Sequence, residues 1–459
     1  MSDVAPRAAE AGRMLRSGAV TSEALTRQAL DRIAERDGKI HAFVHVDKDG
    51  AIAAARQADA ELARGDDRGP LHGLPYAIKD IYDAKGMPTT CGSRLRLEHK
   101  ATEDSAVVER FREGGAVLLG KLATFEFALG GPCFDLPWEP TRNPWSLERI
   151  PGGSSSGSGA AIAAGYVAIA PGSCTTGSIR GPAAWCGAVG LKPTFGRVSR
   201  RGVFPLSGSL DHCGPLARSV HDAALALSVM AGHDPRDPSS SREPVADYCA
   251  GLDGGVSGLR IGVPRDLFET APGMSGDMLA AIDQSLAMLT DLGAVVSNVA
   301  LPESGQFLAC GRVLMIAEAF ATHRELLRTR LADYGSIAAK RFAVGAEISS
   351  ADYLDAILLK ELLTRAVDDA LADQDVLITA ISLDIAPKLV EEKSAGAWPM
   401  QASPFNVTGH PAISVPTGLD RIRMPLALQI VGRPFDEATI LRAARSLEAA
   451  NGWEQVALP

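Results

Sequence analysis

The chain has no Cys-x-x-Cys pair. Its seven cysteines, Cys91, Cys133, Cys174, Cys186, Cys213, Cys249 and Cys310, stand singly. An odd, scattered set in a long chain reads as reduced thiols in a cytoplasm and argues against a structural zinc site. No stretch reaches the roughly 18 apolar residues that a membrane-spanning helix needs. The opening segment, MSDVAPRAAEAGRML, lacks the charged leader and apolar run of a secretory signal. A basic stripe is also missing. The net charge is −9, which argues against a nucleic-acid groove, and the acidic excess is read as solvation. The expectation is a cytoplasmic protein with neither a membrane nor a nucleic-acid partner, and with a homodimer left open.

With 459 residues, 46% of them hydrophobic, the chain can bury a large core. Helical and strand patterns alternate, which predicts an α/β fold. Thr21 or Ser22 can cap a helix whose Leu25, Ala29, Leu30 and Ile33 share one face. A second helix runs through AIAAARQADAELARG and stops near Gly65. Helix-then-strand units follow in SAVVERFREGGAVLLG and DMLAAIDQSLAMLTDLGAVVSNV, and the reverse order in LALQIVGRPFDEATILRAARSLEAA. Residues 232–257 are polar and rich in turn formers, but LRIGVPRDLF directly after them reads as a buried strand. The segment is therefore read as a surface excursion from one domain spanning 1–459. No repeat of 20–50 residues is found.

One segment stands apart: Pro151-Gly-Gly-Ser-Ser-Ser-Gly-Ser-Gly159. A Gly/Ser run is ordinarily a flexible linker. This one feeds directly into the apolar AAIAAGYVAIA and is followed by a second cluster, Gly172-Ser-Cys-Thr-Thr-Gly-Ser178. Dense glycines allow close backbone approach and expose N–H groups that can hold an oxyanion. Competing motifs fail on inspection. No Lys follows Gly157 as a phosphate loop requires, and Ile162 stands where a dinucleotide loop needs its third Gly. Gly153-Ser-Ser155-Ser-Gly157 fits GxSxG, but RIPG before it is no buried strand. None of the eleven lysines has Ser three residues earlier, so an SxxK site is absent. A serine nucleophile needs a base. His72 and His212 are candidates, each more often a structural residue. Lys79, flanked by Ala77, Ile78 and Ile81, is another, because desolvation favours its neutral form. The competing reading of Lys79 is a surface residue paired with Asp80, and the residues alone leave the two even.

The block GGSSSGSGAAIAAGYVAIAPGSCTTGSIRGPAAWCGAVGLKPTFGRVSR, residues 152–200, resembles the signature block of the amidase signature family. LHGLPYAIKDIYDAKGMPTTCGS, FNVTGHPAISVPTGL and LQIVGRPFDEATIL resemble other parts of that family, in order along most of the chain. The core of the resemblance spans about 71–220. It implies a single α/β domain with a mixed central sheet covered by helices on both faces, and an amidase of linear amides or related C–N bonds that forms an acyl-enzyme without metal or organic cofactor. By position it implies Ser178 as nucleophile, Ser154, after a cis peptide bond, as the relay, and Lys79 as the base. The backbone N–H groups of Thr175, Thr176 and Gly177 become the oxyanion donors. The substrate implied is a small amide-like molecule, with carbamates and esters open to the same acyl chemistry.

Two departures from the family pattern stand out. The family often has Asp-Thr-Gly-Gly-Ser-Ile-Arg where this chain has Cys174-Thr-Thr-Gly-Ser-Ile-Arg180. Thr176 would be strained if its position needs positive φ, and Cys174 is read as a small packed residue. The alternative within the family is the glutamine-hydrolysing A subunit of a tRNA-dependent amidotransferase. Its glutamine pocket uses an acid just before the NxxGxPAISVP segment, where this chain has Trp398-Pro-Met-Gln-Ala-Ser-Pro-Phe405. A catalytically dead binding protein is disfavoured by the intact serines and lysine. The loops 125–145 and 380–405 are expected to line the acyl pocket; Phe134, Trp138, Trp398 and Phe405 there fit an apolar or aromatic acyl group and core packing equally well.

Overall fold

A computed structural model describes residues 4–389 and 400–459. The expected alternation is present. Thr21 caps the helix Ser22–Ile40, accepting from the Ala24 N–H, and the second helix runs Lys48–Ala63. The later units appear as Ala106–Glu113 before a strand at Val117–Leu122, Gly276–Asp291 before Val295–Asn298, and Pro425–Gly432 before the helix Glu437–Ala450.

The strands form two sheets. The smaller holds β1 (Phe43–Val46), β2 (Pro75–Lys79) and β3 (Val117–Leu122), in the order β1-β3-β2. The larger holds β4 (Ile169–Cys174), β5 (Val189–Lys192), β6 (His212–Ala217), β7 (Arg260–Val263), β8 (Val295–Asn298), β9 (Val376–Ala380), β10 (Ala412–Leu419) and β11 (Pro425–Gly432). Its order is β4-β6-β5-β10-β11-β9-β7-β8. Pairing is antiparallel from β4 to β9 and parallel from β9 to β8, so the sheet is mixed.

Strand side chains alternate between faces, and the core shows it. Ile378, Leu428 and Ile430 pack with the helices Val220–Met230, Gly276–Asp291 and Glu437–Ala450. Leu377 and Val431 pack on the other face with Ser304–Arg330 and Ser350–Ala372. Both faces are covered, which explains why β9 and β11 are buried along their whole length and read as apolar runs. β4 is an edge strand of the larger sheet, which tolerates Pro171. The edge is closed by β2: the Tyr82 hydroxyl, three residues past β2, donates to the Gly172 carbonyl at 2.6 Å.

Residues 232–257 contain no helix or strand. They are stapled down by buried acids: Asp234 accepts from Ser199 and Arg201, and Asp237 from the Arg200 N–H. No helix among the described residues is long and apolar enough to cross a membrane.

Candidate active site

The two sheets meet where β2 and β4 end. Lys79 is the last residue of β2, and its neighbours in the chain alternate faces so that its side chain turns toward β4. Its Nζ is wholly buried and lies 2.8 Å from both Ser154 Oγ and Ser173 Oγ. Burial pushes Lys79 down to about 7 from its ordinary value of 10.5; nearby Cys174 and Asp211 oppose the shift. Asp80 does not neutralise it. The Asp80 carboxylate points the other way, 2.9 Å from Lys121 Nζ, in an ion pair whose two side chains are fully buried. Thr90 donates to the same carboxylate. Among the described residues Lys79 Nζ hydrogen-bonds to these two hydroxyls and to no carboxylate, an arrangement that suits a neutral amine.

Ser154 sits between Pro151-Gly-Gly and the helix Ser156–Ala163, and the Gly153–Ser154 peptide is cis. The glycines here serve close approach. A Cβ at Gly157 would lie 2.4 Å from both the Ala123 nitrogen and the Ala42 carbonyl oxygen, so the Gly/Ser run is locked against β3 and is no linker.

Ser178 follows β4 on the turn into the helix Arg180–Cys186. Ser178 and Thr176 are half-buried, whereas Thr175, Gly177 and Ile179 are buried. The described hydrogen bonds join Lys79 to Ser154 and stop there: none links Ser154 to Ser178. The positive φ of this turn falls on Gly177, at 139°, and Thr176 is not among the residues with positive φ. Thr176 thus carries no left-handed strain. Thr175 is fixed through its side chain, which donates to Asp211 Oδ1 at 2.6 Å. Asp211 also accepts from the Leu206 and Ser207 N–H groups.

Both histidines hydrogen-bond elsewhere. His72 is buried far along the chain's other end of β2, bonded to Glu61. His212 lies on β6 with Nδ1 2.7 Å from the Leu210 carbonyl, and burial together with Lys192 holds it well below its ordinary value. Two residues of the site were missed in the sequence. Ser173, the second partner of Lys79, was hidden inside the Gly/Ser cluster, and Asp211 in SLDHCGPL carried no signal beyond its neighbour His212.

A cavity of about 210 Å³ opens beside Ser173 and Thr175, lined by Ile81, Ala128, Phe204, Leu206 and His212. Only Ala128 comes from the loops 125–145 and 380–405. Phe405 is fully buried in the core with Leu210 and Phe307, and Phe134 is exposed to solvent. Trp138 is half-buried, and Trp398 lies outside the described residues. No group of three metal-ligating side chains occurs among the described residues.

A buried amine bonded to serines under a Gly/Ser-rich turn, carried on a mixed sheet with helices on both faces, defines the site of an amide-hydrolase class. The Amidase family model matches residues 24–441. The A subunit of glutamyl-tRNA(Gln) amidotransferase from Anaeromyxobacter sp. (strain K) is 42% identical over 472 aligned positions, covering 96% of each chain. A solved structure described as a vestigial complex that reveals the evolutionary origins of an s-triazine catabolic enzyme superimposes with a TM-score of 0.91 at 36% identity, over 97% of this chain and 98% of its own. The peptide amidase of Stenotrophomonas maltophilia superimposes at 0.84 with 32% identity, over 97% of both. This chain belongs to the Amidase family, the amidase signature hydrolases.

Proposed function

We propose that the chain hydrolyses an amide through Ser178, with Ser154 as proton relay and Lys79 as base. The observation that carries this is the buried Lys79 Nζ, 2.8 Å from Ser154 Oγ and held near neutrality by its surroundings. Neutral Nζ accepts the Ser154 hydroxyl proton while Ser154 Oγ takes the proton of Ser178. Ser178 Oγ then bonds to the carbonyl carbon, and the oxyanion is received by the N–H groups of Thr175, Thr176 and Gly177. Collapse breaks the C–N bond, and the leaving nitrogen takes its proton from Ser154, which is refilled from Lys79. Water repeats the sequence in reverse on the acyl-enzyme and frees the acid.

For the substrate, sequence similarity favours glutamine and work alongside partner subunits, because the amidotransferase A subunit matches this chain almost end to end. A second reading, a free-standing amidase of a small amide that is not glutamine, is favoured by one observation. Met400-Gln-Ala-Ser-Pro-Phe405, ahead of Asn406, holds no carboxylate to receive the ammonium of glutamine. The test is the purified chain alone against glutamine, aliphatic amides, anilides and carbamates. Turnover of glutamine only after partner subunits are added supports the first reading. Turnover of another amide by the isolated chain supports the second.

A further inference from the structure

The segment 206–211 has no helix or strand of its own, yet Leu206, Gly208 and Asp211 line the cavity beside Ser173 and Thr175. Irregular backbone carries N–H and C=O groups that no ladder satisfies, so such a segment is fixed by side chains. Asp211 supplies the inner ties. Its Oδ2 accepts from the Leu206 and Ser207 N–H groups at 2.8 and 2.9 Å, and its Oδ1 from the Thr175 hydroxyl at 2.6 Å. The last of these ties matters because the β4–β6 ladder ends at Cys174, opposite His212. Thr175, the next residue, lies beyond that ladder.

The outer ties come from elsewhere in the chain. Arg200 Nη1 donates to the Gly208 carbonyl at 2.7 Å, and Lys360 Nζ to the Ser209 carbonyl at 2.8 Å. Glu318, half-buried on the helix Ser304–Arg330, holds the segment more fully. Its Oε2 accepts the Ser207 hydroxyl at 2.6 Å and the Ser209 N–H at 3.0 Å. Its Oε1 accepts the Ser209 hydroxyl at 2.7 Å and the Tyr353 hydroxyl at 2.9 Å. All four donors are neutral groups, and together they fill the acceptor sites of one ionised carboxylate. Bonds to a charged acceptor are shorter and stronger than those between neutral groups, so this single side chain is a firm anchor for an otherwise irregular turn.

We propose that Glu318 is a positioning residue for the hydrolytic reaction: it fixes Ser207 and Ser209, through them Asp211, and through Asp211 the Thr175 end of the oxyanion row. The inference rests on the reading that Thr175, Thr176 and Gly177 receive the oxyanion. The path has three links, Glu318 to Ser207 at 2.6 Å, Ser207 to Asp211 at 2.9 Å and Asp211 to Thr175 at 2.6 Å. Oxyanion donors work only when they are aimed in advance at the place where charge develops, and a turn without a ladder needs an external anchor to keep that aim. Glu318 touches no reacting atom. A brace that served stability alone would make the same bonds, but its loss would lower the unfolding temperature and leave the turnover of the folded enzyme as it was.

The experiment measures kcat, KM and the thermal midpoint of the whole protein, with any partner subunit that turnover requires, on the amide that the wild type cleaves fastest. The variants are Glu318→Gln, Asp211→Asn and the two combined. Glu318→Gln keeps the shape but turns an NH2 toward two of the four donors. It should lower kcat by about tenfold and move KM by less than about twofold, a part of what losing an oxyanion donor outright costs. In the Asp211→Asn background the same substitution should lower kcat by less than about twofold, because the path is already cut. An unchanged kcat for Glu318→Gln, whatever the midpoint does, overturns the proposal, and so does a full tenfold loss repeated in the Asp211→Asn background. If Asp211→Asn alone lowers kcat, the oxyanion reading stands and only the role of Glu318 falls; if both single variants keep the wild-type kcat, both fall. Should Glu318→Gln fail to fold, Ser207→Ala removes the same link from the other side and is held to the same two criteria.

Discussion

Replacing Lys79 with methionine separates two consequences of one buried amine. In the unfolded chain this lysine holds its proton to about pH 10.4; in the folded protein it releases it near 7. The gap is about 3.4 units, or about 5 kcal/mol of stability lost when the group is buried. The sign follows from linkage. Between the two values the unfolded state binds more protons, so the cost is fully present below pH 7 and fades as pH rises toward 10. Lys79→Met removes that cost. It also strips one partner each from Ser154 and Ser173, worth roughly 1–3 kcal/mol apiece. The absolute change in stability is therefore modest, but its pH dependence is not. The difference in unfolding free energy between variant and wild type should change by about 3 kcal/mol from pH 6.5 to 9.5, favouring the variant at the acid end. Urea unfolding at the two pH values measures it. In parallel, kcat/KM of the wild type should rise along a limb near pH 7, and Lys79→Met should lose the limb and roughly 10²–10⁴ of the rate. Lys79→Arg should do no better, because guanidinium stays charged. A stability difference that is flat with pH, or a Lys79→Arg enzyme with the wild-type limb, would refute a neutral resting lysine.

Other outcomes are expected elsewhere in the site. A fluorophosphonate should add one covalent mass at Ser178 by peptide mapping, and Ser178→Ala should abolish labelling and turnover without unfolding; a label on Ser155 would return the GxSxG reading. Asp211→Asn weakens the acceptor that holds Thr175 and should lower kcat more than it raises KM if, as proposed above, the Thr175 loop receives the developing oxyanion; steady-state kinetics on one amide decides. Gly157→Ala would drive a methyl against the Ala123 and Ala42 backbone at 2.4 Å, and calorimetry should show a loss of about 1–3 kcal/mol. Asp80→Asn leaves Lys121 buried without its counter-charge and should cost about 3–5 kcal/mol by chemical denaturation.

Much was legible before any coordinates, because it depends on local order. The Thr21 cap, the helices at Ser22–Ile40 and Gly276–Asp291 and the strand-helix pair at the C-terminus follow from periodicities of two and 3.6 that each segment carries alone. The contiguous block 152–200 likewise held Ser154, Ser178 and the turn before Ser178 in one stretch of sequence. What the sequence left even was whether Lys79 is buried or a surface partner of Asp80. Only the packing of β2 beside β4 decided that, by turning Asp80 onto Lys121 and Lys79 onto Ser154 and Ser173. The role of Phe405 was open for a similar reason: it looks the same in sequence whether it lines a cavity or fills the core, and the helices Ser304–Arg330 and Ser350–Ala372 claim it for the core. Charge balance was equally out of reach. Arg180 is buried only six residues beyond Cys174, but its partners Asn406 and Gln429 arrive from more than 220 residues further along the chain. A chain fixes the order of its groups; which charges share a buried space is settled only when the sheets close.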